Sequence, residues 1–459
     1  MDIYGVLTDF AIASVLILIG QLIRSKVRFF QKFFIPASMI AGFLGLFLGQ
    51  RFLKVISFSD AAGEYTSLLI LIIYAVIGIN GFSGGTGKGQ GRETFERIVG
   101  FSCYRFALCM LQYAIGIAAG ISIIKWLVPG ISDGFGLLLA AGFNGGHGTA
   151  AAVAKTFSNL GWTEAGDLGM TMATIGILVG VFGGLAQIKL ATKKGWTGYI
   201  KDFSYVSGDL KTGLVSPENM KPMGNDTISS VSLDSLCYHL SLILMVTGGG
   251  YALNTFVIRP YISSSIPDYT IIFCVALLFF LLMRKTGIYK HMDKRVNSRV
   301  AGTCTDYLVF FGIARVNTSV VLQYALPIIL LTLAGFFALL VTFWLGYKMV
   351  KKSWFEHYLF CYGYNTGIFA IGFVLLRIVD PDNKSLTLED VALSPWSSFI
   401  DIFSWSLIPI ALLSGRGWTV VAVCLALTVV PVILSIVCKA WYNDPLNKRG
   451  FYGVEEPTD

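Results

Sequence analysis

One segment of the chain combines polar residues that could bind a ligand with a backbone that cannot form a regular helix. It runs Ala141-Gly142-Phe143-Asn144-Gly145-Gly146-His147-Gly148-Thr149, inside a longer apolar stretch. Each glycine costs about 1 kcal/mol relative to alanine in a helix, so this glycine density predicts a break. Small residues also occur where helices pack closely, but packing does not call for asparagine and histidine together. The segment therefore predicts a binding site.

The break would offer binding groups of both signs. A helix starting near Thr149 would direct its positive N-terminal end at an anion, whereas freed carbonyl groups and the Asn144 side chain suit a cation. His147 has no carboxylate, cysteine or second histidine at a recognisable spacing, so it is interpreted as a substrate contact or a packed residue rather than a catalytic base. We assign Asn144 to a cation site. The predicted substrate-binding residues here are Gly145, Gly146, His147, Gly148 and Thr149.

A second interrupted segment lies in the other half of the chain. Gly363-Tyr364-Asn365-Thr366-Gly367 repeats the pattern glycine, aromatic, asparagine, any residue, glycine of Gly142–Gly146. Carriers built from inverted repeats bring two broken helices together near the membrane midplane. We therefore expect Asn365 in the cation site, and Thr366 and Gly367 in the substrate site.

Three further polar residues inside or at the ends of apolar runs are candidates, because such residues in a membrane are usually functional. Asp401, in Ser-Phe-Ile-Asp-Ile-Phe-Ser, is the strongest cation ligand or proton site. Thr174 could line the cation site, although membrane threonines often bond their own backbone. Arg315 either meets a substrate carboxylate or extends to the membrane surface from the end of its span.

The composition places these segments in a membrane. Of 459 residues, 55% are hydrophobic and 14% are charged, whereas about 25% are charged in soluble domains. Several apolar runs exceed the roughly 18 residues that cross a bilayer, which predicts an all-α polytopic membrane protein. The net charge of +8 comes from loops between spans, and this pattern indicates membrane orientation rather than nucleic-acid binding. No residue pattern predicts an enzyme, a structural metal or a cofactor.

The distribution of basic loops predicts the topology. About eleven spans are expected, and the basic loops fall on one side only if the segments near 134–157 and 355–379 are re-entrant hairpins. The first hairpin then enters from outside and the second from inside, as in an inverted-topology repeat. The N-terminus lies outside, and the C-terminus inside. The predicted units are a first repeat (1–188), a cytoplasmic linker (189–230), a second repeat (231–413) and an extra C-terminal span with a tail (414–459).

The run Gly145–Ala152 resembles the first re-entrant motif of the bacterial sodium–glutamate symporters. Further segments are similar in the same order, from the first span to about Pro409: Ile35-Pro36, Ile77–Asn80, Gly161–Thr163, Ala173–Ile177 and Phe399–Ile402. The resemblance implies two five-span repeats, sodium coupling, an elevator-type movement and a homodimer in the bacterial inner membrane. The second hairpin, Gly363–Arg377, departs from the family pattern, and the span near Trp418–Cys438 is additional.

The expected function is sodium-coupled import of glutamate or a related acidic amino acid, with sodium as the coupling ion. Two alternatives belong to the same class, namely a symporter for another carboxylate and one driven by protons through Asp401. An ion channel is the alternative from a different class, because re-entrant hairpins also build pores. Two opposed, non-identical hairpins in one chain favour the carrier.

Overall fold

The computed structural model describes residues 3–33, 35–50, 52–81, 92–199, 208–220, 222–229, 231–262, 266, 268–367, 369–380, 384–393, 396–438 and 441–443. Within these ranges all regular structure is helical. The α-helices are α1 (Ile3–Lys26), α2 (Arg28–Lys32), α3 (Ala37–Leu48), α4 (Tyr65–Asn80), α5 (Arg92–Ala119), α6 (Lys125–Leu127), α7 (Leu137–Phe143), α8 (Gly146–Asn159), α9 (Ala165–Lys194), α10 (Gly208–Thr212), α11 (Ser235–Leu253), α12 (Arg259–Tyr261), α13 (Asp268–Thr286), α14 (Lys294–Ala314), α15 (Thr318–Gln323), α16 (Ala325–Met349), α17 (Trp354–Tyr364), α18 (Phe369–Val379), α19 (Thr387–Leu393), α20 (Trp396–Leu413) and α21 (Gly417–Val437). Two π-helical turns, Gly120–Ile124 and Asn254–Ile258, continue α5 and α11.

Seven helices in the described part of the chain are long and apolar enough to cross a membrane. They are Tyr4–Lys26, Arg97–Leu127, Ala165–Lys194, Ser235–Tyr261, Asp268–Thr286, Ala325–Met349 and Gly417–Val437. Large apolar side chains on their outer faces, such as Leu18, Leu340 and Val437, are exposed to the surroundings of the protein. Apolar outer faces are stable where lipid is the solvent. The predicted all-α, multi-pass class is therefore confirmed.

Two helices extend into basic sequence beyond their apolar parts, and one of them, α9, runs past the predicted end of the first repeat at residue 188. α14 begins at Lys294, because the Asp293 carboxylate caps it by accepting the Arg295 amide proton at 2.8 Å. α9 continues past Ile188 to Lys194 and ends where Gly195 adopts a left-handed conformation. Basic residues are compatible with both ends because they reach the membrane surface.

The helices pack as two groups. The first contains α1, α3 and α4 from the first half of the chain, with α11, α13 and α14 from the second half. The second contains α5, the pair α7–α8 and α9, with α16, the pair α17–α18 and α20; α21 lies along α5. The groups meet chiefly where α8 and α9 contact α4 and α14, and where α20 contacts α13. Both interrupted segments therefore belong to the same group.

α3 is short and is followed by an apolar loop. The helix starts after Pro36 and stops at Gly49. The amides of residues 53–56 donate to carbonyl groups of residues 47–49 at 2.9–3.1 Å, so the loop folds back on the end of the helix. Phe52, Leu53 and Val55 are exposed on this loop. The result is an apolar surface whose backbone groups are largely satisfied.

Candidate functional site

The first interrupted segment is a tight helical hairpin. α7 ends at Phe143 and α8 begins at Gly146, and between them Gly145 has a φ of 112°, a conformation open to glycine. A side chain at Gly134 would lie 2.4 Å from the Phe157 ring, so the start of the segment lies beside the end of α8. The predicted break is present. The predicted helix start near Thr149 was wrong, because α8 begins one turn earlier.

Two side chains at this first tip have polar atoms without partners. Asn144 is buried, and its Nδ2 atom donates to the Sγ atom of Cys109 at 2.8 Å while its Oδ1 atom has no partner. The Nε2 atom of His147 lies 3.0 Å from the Thr174 hydroxyl, and its buried Nδ1 atom has no partner. Thr149 is also buried, with its hydroxyl over the backbone of Gly145. Buried polar atoms are normally hydrogen-bonded, so unpartnered ones mark a place for a ligand or water.

The second interrupted segment has a similar form. α17 and α18 pack so closely that a side chain at Gly363 would lie 2.7 Å from the Cα atom of Gly372. The chain therefore doubles back between them. Thr366 is buried at this tip and its hydroxyl donates to the Tyr362 carbonyl at 2.8 Å. Asn365 is buried beside it.

α9 brings the two tips together. A side chain at Gly176 would lie 2.5 Å from the Thr366 carbonyl oxygen and 2.9 Å from the Phe143 ring. One turn further along, a side chain at Gly180 would lie 2.5 Å from the Thr366 hydroxyl. Both tips thus contact α9 where Gly176 and Gly180 leave its surface without side chains. Gly367 contacts the same helix, at Ile177.

α5 holds each tip from the other side. Cys109 accepts the hydrogen bond from Asn144, and Gln112, one turn further along, donates its Nε2 proton to the Asn365 carbonyl oxygen at 2.8 Å. The Gln112 side chain is buried, and its Oε1 atom has no partner. Two side-chain amide oxygens, one on Asn144 and one on Gln112, are therefore left unsatisfied where α5 contacts the tips.

The donors available at the tips are neutral oxygens. The last carbonyl groups of α7 lack partners within the helix, and they add to the two amide oxygens. Hard cations such as sodium bind oxygen ligands of this kind. In the described ranges, no three His, Cys, Asp or Glu side chains form a group that could hold a metal ion. Neutral oxygens of this kind can hold an exchangeable cation.

Two predicted residues, Gly148 and Arg315, stand apart from this arrangement, and a third, Asp401, is described only in its backbone. Gly148 faces α4, with Ile70 3.5 Å from the position of its missing side chain. The Asp401 backbone lies in α20, but its side chain is outside the described residues. Arg315 follows α14 and lines a separate cavity that none of the other predicted site residues lines. The described structure thus gathers Asn144, His147, Thr149, Thr174, Asn365 and Thr366 around α9 and α5, and leaves Arg315 elsewhere.

The cavity lies between the two helix groups and has a volume of about 260 Å³. The Lys155 ammonium on α8 pairs with the Glu64 carboxylate at its mouth, at 3.4 Å. The Asp167 carboxylate on α9 accepts the Asn317 amide proton at 2.7 Å. The lining residues are Ala62, Gly63, Glu64, Thr66, Ser67, Ala151, Ala154, Lys155, Ser158, Thr163, Gly166, Asp167, Met170, Phe311, Gly312 and Arg315.

Three residues of the tip region were missed from the sequence. Cys109 resembles any small apolar residue of a span, and Gly176 resembles a packing glycine, so neither carried a signal. Gln112 did carry one, because an uncharged polar residue inside an apolar run deserves the same attention as a charged one. Its role emerges only from its contact with Asn365 in the other half of the chain.

Comparisons with known proteins identify the family of the chain. The profile of the sodium/glutamate symporter family matches residues 3–374. Curated relatives include the sodium/glutamate symporters of Haemophilus influenzae and Escherichia coli, each 26% identical over 252 and 256 residues respectively. These alignments cover 53% of this chain and 58% and 59% of the two relatives, so the matched part spans less than two thirds of their length. Because the family profile covers most of the chain, including the first hairpin and most of the second, the protein belongs to the sodium/glutamate symporter family.

Proposed function

We propose that the protein is a secondary transporter that couples the import of glutamate, or a related acidic amino acid, to sodium across the inner membrane of a bacterium. The observation that carries this proposal is the meeting of two broken helices at Gly176, with unsatisfied buried polar atoms around them. Membership of a family named for sodium and glutamate supports both ligands.

The sodium site is proposed at the face of the tips that α5 contacts. The Asn144 and Gln112 amide oxygens lack partners, and a sodium ion would satisfy them. Asn365, Thr174 and Asp401 are the further proposed ligands. Sodium is here a transported substrate, so modest affinity and exposure to both sides in turn are what the cycle requires.

The carboxylates of the substrate are proposed to bind at the start of α8. The first amide groups of a helix lack partners within the helix and carry positive partial charge. In α8 these are the amide groups of Gly146 to Thr149, which lie at the tip. The unpartnered Nδ1 atom of His147 lies in the same turn. Because the Thr174 hydroxyl donates to Met170, the His147 Nε2 atom is the donor and Nδ1 is an acceptor, which could bind the amino group of the substrate. Thr366 and Gly367 would close the site from the second hairpin. Binding of either ligand then strengthens binding of the other, which is the thermodynamic content of coupling.

The two helix groups support alternating access by an elevator-type movement. All tip residues belong to the second group, so its movement relative to the first would carry the whole site. The elements of the two halves follow the same order, which supports inverted repeats whose hairpins enter from opposite sides, with the N-terminus outside and the C-terminus inside. A homodimer formed through the first group would hold that group still.

The test is uptake of labelled glutamate by proteoliposomes that contain the purified protein, with and without an inward sodium gradient. Accumulation above the external concentration that requires sodium is the expected result. Accumulation driven by a proton gradient alone would show that the coupling ion is the proton and not sodium. A flux that only equalises glutamate across the membrane, whatever the sodium gradient, would contradict the carrier and favour a channel.

A further inference from the structure

The cavity between the helix groups has charged residues on both walls. On one wall, Lys155 and Asp167 come from α8 and α9; on the other, Glu64 and Arg315 stand at the ends of α4 and α14. The cavity volume of about 260 Å³ equals roughly eight or nine water molecules, which suffices for a small amino acid and some water. A cavity with two cations and two anions suits a ligand that itself carries both signs.

The two cations of the cavity are available to a ligand. Arg315 is half-buried, and its guanidinium group forms no ion pair or hydrogen bond with any residue that the structure describes. Lys155 pairs with Glu64, but the distance is 3.4 Å and 75% of the Glu64 side chain is exposed. Exposed pairs of this kind contribute little, so a ligand carboxylate can replace Glu64.

The floor of the cavity adjoins the tips. Ala151 and Met170 line it, and they lie one helical turn from His147 on α8 and from Thr174 on α9. The Thr174 hydroxyl donates to the Met170 carbonyl at 2.9 Å and also contacts His147. A ligand that leaves the cavity through its floor therefore meets the first hairpin tip directly.

We propose that this cavity is a docking site in which an incoming acidic amino acid binds through its carboxylates to Arg315 and Lys155 before it reaches the hairpin tips. The amino group of the ligand would lie towards Asp167. The identity of the ligand rests on the proposed function. The site itself rests on the cavity and its charges, and it requires no sodium.

Protection of Lys155 from chemical modification tests the docking site without transport. The purified full chain is treated with a membrane-impermeant, amine-reactive acylating reagent, and modification of single lysines is measured by mass spectrometry. Glutarate serves as the probe, because it has the two carboxylates of glutamate and no amine to consume the reagent. Valerate at equal ionic strength, with one carboxylate, is the comparison. Lys125 is the control lysine, since it also pairs with a carboxylate, that of Asp133, and its side chain is 47% exposed against 35% for Lys155.

Glutarate should slow the modification of Lys155 severalfold in the absence of sodium, valerate should do so less, and Lys125 should be unaffected. Equal rates with and without glutarate, or equal protection of both lysines, would overturn the docking site. If Lys155 is protected but the proteoliposomes show no sodium-driven uptake, the docking site stands and the proposed function fails. If the proteoliposomes show sodium-driven uptake but Lys155 is not protected, the proposed function stands and the docking site fails.

Substitutions show whether Lys155 and Arg315 bind substrate or only form a structural ion bridge between the walls of the cavity. Lys155→Gln and Arg315→Gln should each raise the KM for glutamate by about fivefold with little change in kcat. Glu64→Gln should leave the KM unchanged or lower it, because it releases Lys155 for the ligand. Lys125→Gln is the matched control and should behave as the wild type. A rise in KM with Glu64→Gln equal to that with Lys155→Gln would overturn the proposal, since it would assign both residues to a bridge.

Discussion

Asn144 is the residue that most clearly connects the break between α7 and α8 with ligand binding. Its amide group donates to Cys109 and leaves the oxygen buried without a partner. An unsatisfied buried acceptor costs about 1–3 kcal/mol, and Gln112 and His147 carry the same kind of cost close by. A ligand that satisfies these atoms recovers the cost, so the unliganded protein is arranged to favour binding.

Replacing Asn144 by alanine should raise the sodium concentration for half-maximal uptake about tenfold, because loss of one good oxygen ligand is worth roughly 1.4 kcal/mol. Asp401→Ala should change it in the same direction. The measurement is the initial rate of glutamate uptake against external sodium. Asn297→Ala is the control: this buried asparagine donates to Asn80 in the first helix group, away from both tips. Unaltered sodium dependence in the Asn144 variant would remove it from the cation site.

At the scale of elements, α9 serves as the surface on which both hairpins rest. Its glycines allow this contact, since Gly176 faces both tips and Gly183 lies against the Tyr362 hydroxyl. The Tyr362 hydroxyl donates to the Val179 carbonyl at 2.8 Å, which fixes α17 along the same helix. In the proposed elevator-type movement, this connection would keep the relative position of the two tips constant.

Gly176→Ala should abolish uptake or reduce it more than tenfold, because its methyl group would overlap the Thr366 carbonyl and the Phe143 ring. Gly169→Ala on the same helix is the matched control, since its methyl group would lie 3.5 Å from Ala150, an ordinary van der Waals contact. The control should fold and transport as the wild type, or be slightly more stable, because alanine favours helix. Uptake by the Gly176 variant at the control rate would contradict the contact between the tips.

The turn before α14 depends on one carboxylate outside the membrane. Asp293 accepts protons from the side chain and amide of Arg295 and from the Asn225 amide, and these bonds lower its pKa from 3.8 to about 2. A lowered pKa in the folded state means that the carboxylate stabilises the fold above its ordinary pKa. This contribution declines as the pH falls below 3.8 and is lost as it passes through about 2.

Asp293→Asn should therefore lower the melting temperature at pH 7, and the difference from the wild type should shrink as the pH is reduced from 5 to 3. The measurement is thermal unfolding of the purified protein across this range. Asp60→Asn is the comparison, since this acidic residue also begins a short turn, here a 3₁₀ turn. A difference that stays constant with pH would show that the asparagine acts through shape rather than charge.

At the scale of the whole molecule, few of the polar bonds that the structure describes cross the boundary between the two helix groups. The Thr270 hydroxyl of α13 meets the Ser406 hydroxyl of α20 at 2.5 Å, and the Thr156 hydroxyl of α8 lies 3.4 Å from that of Tyr269. The Lys155–Glu64 pair also crosses the boundary, and exposed ion pairs contribute little to stability. The proposed elevator-type movement would therefore break few polar bonds.

A disulfide between Thr270→Cys and Ser406→Cys should stop uptake, and reduction should restore it, because the bond would join the two groups at a point where their side chains touch. The assay uses a background in which the eight native cysteines are replaced. Thr227→Cys with Ser235→Cys is the control pair, since these hydroxyls lie 3.4 Å apart within the first group. Undiminished uptake by the fully oxidised Thr270–Ser406 variant would contradict movement at this boundary.

The sequence allowed the helices and both breaks to be predicted, because apolar runs and clustered glycines act locally. The break at Gly145 is an example, since its cause lies within a few residues. The partners of the tips could not be predicted, because Gln112 and Asn365 are far apart in the chain and meet only through packing. Arg315 shows the converse: its charge marked it as functional, but only the structure places it in a cavity of its own.

The short α3 has a consequence for the lipid around the protein. Its 12 residues span about 18 Å, whereas the hydrocarbon core of a typical bilayer is about 30 Å thick. We expect the exposed Phe52, Leu53 and Val55 side chains of the following loop to cover part of the difference, and the bilayer to thin locally over the rest. Thinning costs less in membranes of shorter acyl chains. We therefore expect the uptake rate in proteoliposomes to depend on acyl-chain length, and to fall in thick, long-chain membranes.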